Sequence, residues 1–190
     1  AIYSNKSYLY FQGISNSLKN QQKSRLSKIE GCLIGGAVGD AFGASVEATS
    51  LSRIKERYGS QGIKYIPKKN GKYRVTDDTQ MTIFTLDGLL KSYCQNKDIT
   101  KEPDYTIIYD SYKDWYKTQC DFDENQLPTN GLLSNPSLYS KRGPGRTCLS
   151  ALKQGVPGDV ENPINNSYAN GGIMRVAPIG VLYSNNPKLA

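Results

Sequence analysis

The sequence predicts an all-α domain. Apolar residues recur at helical spacing over several stretches, and no strand-like alternation lasts for long between them. Gly, Pro, Asn and Ser gather in the segments that separate those stretches, as loops require. At 190 residues the chain can enclose a real core. It stops at Ala190, just after a buried-looking helix, so it reads as the N-terminal part of a larger compact multi-helix fold.

Residues 1–22 are polar and rich in Ser, Asn and Gln, which predicts a flexible tail. Within them Leu9-Tyr10-Phe11-Gln12-Gly13 resembles the end of a protease-cleavage tag, so part of this tail reads as an expression scar. Residues 23–190 read as one portion of a single domain. Its first helix is predicted from near Ser24 to about Ala48, on Leu26, Ile29, Leu33 and Val38. Gly31, Gly35, Gly39 and Gly43 form a ridge every four residues, which predicts either close approach of another helix or room for a ligand. Asp40 and Glu47 are seven apart and would share one face of that helix.

Ser52–Tyr58 reads as a short helix stopped by Gly59, and Lys68–Lys72 as an exposed turn. A helix from Thr76-Asp77-Asp78-Thr79 to about Tyr93 would bury Met81, Ile83, Phe84, Leu86, Leu89 and Leu90. Asp104 is a candidate N-cap for a further helix with Ile108, Tyr112, Trp115 and Tyr116 inward. Residues 119–145 read as a long loop, Arg146–Gln154 as a short helix closed by Gly155, and Ile173–Tyr183 as helical with a kink or break at Pro178.

Composition narrows the chemistry. The chain has no histidine, which removes Ser-His-Asp and Cys-His catalysis and histidine-bound zinc. Acid–base work falls to carboxylates, Lys, Tyr or metal-activated water. Cys32, Cys94, Cys120 and Cys148 have no metal or redox spacing, and no secretory signal or transmembrane run occurs, so a reduced cytoplasmic protein without membrane contact is expected. The net charge of +7 is dispersed; it suits solubility and an anionic ligand, and no nucleic-acid module appears.

The densest chemistry is Thr76-Asp77-Asp78-Thr79, two carboxylates between two hydroxyls at a helix start. Capping accounts for one such residue. Hard oxygen donors in a row also suit Mg²⁺, and adjacent carboxylates can serve two metals.

Four stretches follow one another along the chain: Gly31-Cys32-Leu33-Ile34-Gly35-Gly36-Ala37-Val38-Gly39-Asp40-Ala41-Phe42-Gly43 with Glu47; Thr76-Asp77-Asp78-Thr79-Gln80-Met81; Arg142-Gly143-Pro144-Gly145-Arg146-Thr147; and Asn170-Gly171-Gly172-Ile173-Met174-Arg175-Val176-Ala177-Pro178-Ile179-Gly180. In these, and in their order, the chain resembles the ADP-ribosylglycohydrolase family, which includes the dinitrogenase reductase-activating glycohydrolases.

The resemblance implies an all-α hydrolase with two Mg²⁺ ions, Mn²⁺ being able to substitute. Its reaction is cleavage of the N- or O-glycosidic bond between ADP-ribose and a protein side chain. Its partners would be ADP-ribosylated protein or ADP-ribose. Thr76, Asp77 and Asp78 would ligate metal, and Glu47 would be a ligand or acid–base group. Glu47, Asp77 and Asp78 are thus the catalytic candidates. Asn166-Ser167-Tyr168 and Asn170-Gly171-Gly172 would line the ADP-ribose site, with Tyr168 stacking on adenine or packing in the core. Asn170-Gly171-Gly172 ahead of a helix would offer free N–H groups to a diphosphate. Arg146 and Arg175 are candidates for phosphate, with a structural ion pair as the rival for Arg175.

The family's second acidic motif, Asp-x-Asp-Thr, does not follow; Asp121-Phe122-Asp123-Glu124 lacks the threonine. A second polypeptide segment would complete the fold. The alternative is a truncated or degenerate member that acts as an ADP-ribose-binding or structural module.

Overall fold

The computed structural model describes residues 5–98, 100–120 and 127–190, with side chains from residue 16 onward. The first four residues of the expected tail and the acids Asp121, Asp123 and Glu124 lie outside the described residues. Among those described, the regular elements are helical: α1 (Asn5–Gly43), α2 (Leu51–Tyr58), α3 (Asp77–Asn96), α4 (Tyr105–Cys120), α5 (Arg146–Lys153) and α6 (Ala177–Leu182), with short 3-10 turns. The one β-bridge, Lys69 to Lys72, closes the expected turn, where Asn70 and Gly71 both have positive φ. The all-α expectation therefore holds.

The chain divides into two compact units, Ala1–Gly35 and Gly36–Ala190. The first is the leading part of α1, whose residues 16–28 are exposed. Its helix reaches back to Asn5, through the segment that polarity reads as tail. Its Lys, Gln and Leu residues are good helix formers, and polarity alone does not register that propensity.

The second unit is built on α3. Contacts pair Ser92 with Asp104, Gly88 with Ile108, Thr85 with Tyr112 and Gln80 with Trp115, so α4 runs antiparallel to it. Asp104 does cap α4, its carboxylate accepting from Thr106 N–H at 2.9 Å. Met81, Phe84, Trp115 and Cys148 form the buried core, with Tyr112, Tyr116, Leu138, Leu149 and Met174 packed around it. Burying each large apolar side chain contributes about 1.5–3 kcal/mol. Leu90 differs from expectation: it is 49% exposed, because it lies across the helix from the Met81–Thr85–Leu89 stripe.

Two further expectations are corrected. Within the second unit a Cβ at Gly39 or Gly43 would meet nothing within 4 Å, so close helix approach, one of the two alternatives for this ridge, does not hold there among the described residues. The close approach is at Gly88, where a Cβ would sit 2.8 Å from Ile108 Cα. And α1 ends at Gly43 rather than Ala48. A turn follows, with Glu47 N–H donating to Gly43 C=O at 3.0 Å and Ala48 at φ 56°, so Glu47 does not extend Asp40's helical face. At the other end, helix breaks at Val176, and Pro178 occupies the first turn of α6, where its missing N–H costs nothing.

Gly88→Ala is expected to destabilise the fold by about 1–3 kcal/mol through overpacking at a rigid backbone. Gly39→Ala, on the open ridge, is expected to stabilise this chain by up to about 1 kcal/mol of helix propensity. Urea denaturation of both variants checks the pair, and a loss of similar size at Gly39 would contradict the packing described.

Candidate functional site

The site is assembled at the N-terminus of α3, from α1, the turn after it and the loop before α5. Asp40 sits in the last turn of α1, and both its oxygens are directed at α3. Oδ1 accepts from the Thr76 hydroxyl at 2.7 Å. Oδ2 accepts from Thr76 N–H at 2.8 Å, from Thr79 N–H at 3.2 Å and from the Thr79 hydroxyl.

The first N–H groups of a helix have no partner within it. Here each is satisfied by the chain itself. Asp77 N–H donates to Arg142 C=O at 3.0 Å, Asp78 N–H to Thr76 Oγ1 at 3.3 Å, Thr79 N–H to Asp40, and Gln80 N–H to Thr76 C=O at 3.3 Å. Capping is therefore done by Thr76, Asp40 and a loop carbonyl. The principal acceptors are thus not the carboxylates of Asp77 and Asp78, although the Asp77 carboxylate also feels its own N–H.

Asp77 is 4% exposed. Its Oδ2 accepts from Gly145 N–H at 3.1 Å. Burial pushes its carboxyl above the usual range, the Gly145 N–H pulls it back, and the charges of Glu47 and Asp40 push it up again. Asp78 is raised first by burial and then by Asp40, Asp77 and Glu47, with the Thr76 hydroxyl opposing. Glu47 is exposed, and its Oε2 lies 4.0 Å from where a Cβ on Gly143 would be. Four carboxylates thus share one electrostatic neighbourhood.

No basic side chain offsets them in an ion pair. The ion pairs among the described residues are Lys91–Asp87, Lys101–Asp98, Lys113–Asp110 and Lys117–Asp114, all away from the cluster. Asp77, Asp78 and Glu47 are the side chains that could hold a hard cation. Among the described residues no three acidic or thiol groups come close enough together to hold one alone. Asp40 is turned to the helix, and one lone pair of the Thr76 oxygen remains beyond its two hydrogen bonds.

The second candidate stretch reaches this region through α5. Ser167 Oγ and Thr147 Oγ1 are 2.9 Å apart, and a Cβ on Gly171 would lie 2.5 Å from Cys148 Sγ. A side chain at position 171 would therefore have to displace the buried Cys148 thiol. Cys148 is raised by burial first; its thiol is a buried packing group under the acids. Asn166, Ser167, Tyr168, Asn170 and Gly172 are exposed. Tyr168 is wholly exposed, so it packs in no core among the described residues.

Asn170-Gly171-Gly172 does not open a long helix. Only the 3-10 turn Ile173–Arg175 follows, and the N–H groups of Ile173 and Met174 both donate to Asn170 C=O, so they are not free for a diphosphate. Arg175 stacks over Tyr112 at 4.3 Å and enters none of the ion pairs among the described residues. Arg146 is exposed in the first turn of α5.

A family model described as ADP-ribosylglycohydrolase matches residues 21–190. The chain belongs to this family. An uncharacterized protein of Escherichia coli strain K12, YegU, is 30% identical over 167 residues, covering 83% of this chain and 42% of its own length. An uncharacterized protein of Archaeoglobus fulgidus is 27% identical over 159 residues, covering 82% of this chain and 43% of its own. The chain thus spans less than half the length of these family relatives. No solved structure matches. No described helix is long and apolar enough to cross a membrane.

Sequence reasoning missed three contributors to this family member's site. Asp40 was noticed without its capping role. Gly145 acts through its backbone N–H, and Gln80 through its amide. The Gly143-Pro144-Gly145 run, which brings the loop backbone close to two carboxylates, was the available signal for the second.

Raised Asp77 and Asp78 fix a sign. The folded chain holds protons there that the unfolded chain has released, so stability falls as pH rises from the usual carboxylate range through the raised values. Asp78→Asn is expected to raise Tm at neutral pH without divalent cations, and the gain should shrink as pH falls toward 4. Calorimetric scans across pH check this. Asp40→Ala is expected to cost about 1–3 kcal/mol, by leaving half-buried donors of Thr76 and Thr79 unpaired; a denaturant melt unchanged from wild type would refute the capping role.

Proposed function

We propose that the chain carries part of a divalent-metal hydrolase centre that cleaves the glycosidic bond between ADP-ribose and a protein side chain. Family membership supports a glycohydrolase. The observation that carries the finer reading is the division of labour at α3: Asp40 and Thr76 cap the helix, while Asp77 and Asp78 remain as a partly buried, mutually repelling pair. A hard cation would relieve that repulsion, and carboxylate, hydroxyl and carbonyl oxygens suit Mg²⁺ or Mn²⁺.

Asp77, Asp78 and Thr76 would hold the ions, with Glu47 at their edge, and a second segment of a longer polypeptide would complete the ligand set. When bound, two Mg²⁺ ions supply Lewis-acid binding of the ribose hydroxyls and a lowered pKa for water. Gly145 N–H fixes the orientation of Asp77 Oδ2. Glu47 is exposed beside the cluster and can hold or release a proton at its carboxylate as general base or acid. Breaking the bond at the ribose anomeric carbon builds positive charge on the ring, and the clustered carboxylates favour that charge. Tyr168 is free to stack on adenine, and Asn166, Ser167, Asn170 and Gly172 line an exposed loop within reach of solute. Residence in the reducing cytoplasm accords with the four unpaired cysteines.

Because no three acids converge on a metal position among the described residues, a second reading stands beside the first: an ADP-ribose-binding module without turnover. Activity assays with full-length protein separate them. Asp77→Asn with Asp78→Asn should abolish Mg²⁺-dependent release of ADP-ribose from modified protein, and chelation of wild type should do the same. Glu47→Gln should lower kcat by at least about 10²-fold while the helical signal and Tm are kept. Turnover that survives the double substitution would sink the metal-ligand role of Asp77 and Asp78; Mg²⁺-independent ADP-ribose binding by a wild type without turnover would sink the hydrolase reading and favour the module.

A further inference from the structure

Gln80 is 2% exposed and uses its whole hydrogen-bonding capacity in two directions. Its Oε1 accepts from Trp115 Nε1 at 3.3 Å and Gln119 Nε2 at 3.2 Å, both on α4. Its Nε2 donates to Leu138 C=O at 3.2 Å and Ser140 C=O at 3.1 Å, both in the segment that leads to α5. Just beyond those carbonyls the same segment makes its contacts with the acids. Arg142 C=O receives Asp77 N–H, Gly143 lies beside Glu47, and Gly145 N–H holds Asp77 Oδ2.

We infer that Gln80 is a positioning residue for the acidic site. Its two amide protons hold the 138–145 segment against α3, and Gly145 N–H in turn fixes the Asp77 carboxylate. The inference rests on the metal-centre reading for its functional consequence and on hydrogen bonds alone for its mechanics. The two faces of the amide make it separable from a purely structural role. Gln80→Glu keeps acceptors for Trp115 and Gln119 and removes the donors to the loop. Gln119→Leu disturbs the α4 side and keeps both donors. Gly145→Pro deletes the terminal N–H at a residue whose φ of −63° already suits proline.

The test uses the full-length protein. Mg²⁺ affinity by titration calorimetry and Tm are measured for wild type, the three variants and Gln80→Glu with Gly145→Pro, and amide hydrogen exchange at Gly145 for wild type, Gln80→Glu and Gln119→Leu, which keep that N–H. Gln80→Glu is expected to speed Gly145 exchange and to weaken Mg²⁺ binding by about tenfold, the usual effect of losing a group that orients a ligand. Gly145→Pro should weaken Mg²⁺ as much, and the double variant no further. Gln119→Leu should lower Tm and leave Gly145 exchange and Mg²⁺ affinity as in wild type. If Gln80→Glu does not fold, Gln80→Met read against Gln119→Leu makes the same comparison.

The inference is overturned by unchanged Gly145 exchange in the Gln80 variant, by faster exchange with unchanged Mg²⁺ affinity, or by effects that multiply in the double variant. A wild-type protein that binds no Mg²⁺ refutes the metal-centre reading instead, and Gly145 exchange still decides whether Gln80 holds the loop.

Discussion

A single carboxylate, Asp40, fixes the start of α3. It receives N–H and hydroxyl donors from Thr76 and from Thr79, so the last turn of α1 and the first turn of α3 are joined at one point. A negative charge at a helix N-terminus is also favoured by the helix dipole. The consequence is chemical as well as structural. A residue from another helix satisfies the donors that Asp77 or Asp78 would otherwise have to cap. Their side chains can then be spent on a ligand.

The arrangement has an electrostatic cost, borne by the packing around it. Burial and the charges of Asp40 and Glu47 both disfavour the ionised forms of Asp77 and Asp78. What holds them there is the α3–α4 pair, closed at Gly88 and filled by Met81, Phe84 and Trp115. Gln80 lies on the same seam and carries that rigidity to the loop before α5. The acids therefore stand on a helix whose register is set by the core, and their backbone partner Gly145 stands on a loop held by the same helix. A strained cluster on a firm support is the usual physical form of a site whose stability is exchanged for function.

Much of the fold was legible from residues that act locally. Asp104 as a cap, Gly59 as a stop and Asn70-Gly71 as a turn depend on their own backbone, and each is where the sequence puts it. Periodicity also found the Met81–Phe84–Leu89 stripe. It could not tell which glycines approach another helix, because that depends on the partner: the regular ridge of α1 is open at Gly39 and Gly43, and the solitary Gly88 is the contact. Spacing placed Asp40 and Glu47 on one helix face, but a helix that stops at Gly43 invalidates that geometry. Glu47 still comes near the acids, by way of the following turn. The clustering of Thr76, Asp77, Asp78 and Glu47 needs contacts across some 30 to 100 positions, which no local pattern encodes; the ordered family motifs carried that information instead.

The charge balance argues for what the cluster meets in use. A chain of net +7 has basic residues to spare, yet the ion pairs described join Lys and Asp close in sequence and leave the four clustered acids without one. Solvent can screen an exposed Glu47; it does so poorly for Asp77, at 4% exposure. On the proposed reading, two kinds of positive charge would compensate it. The ribose ring carries charge only in passing, during bond cleavage, and cannot stabilise the resting protein. Divalent cations can, and they would be present both before and during the reaction. That asymmetry favours a resident metal over a purely carboxylate-based mechanism. On the same reading a single neutral N–H from Gly145 suits Asp77 better than a charged partner would, since a lysine or arginine there would hold the carboxylate in competition with a cation.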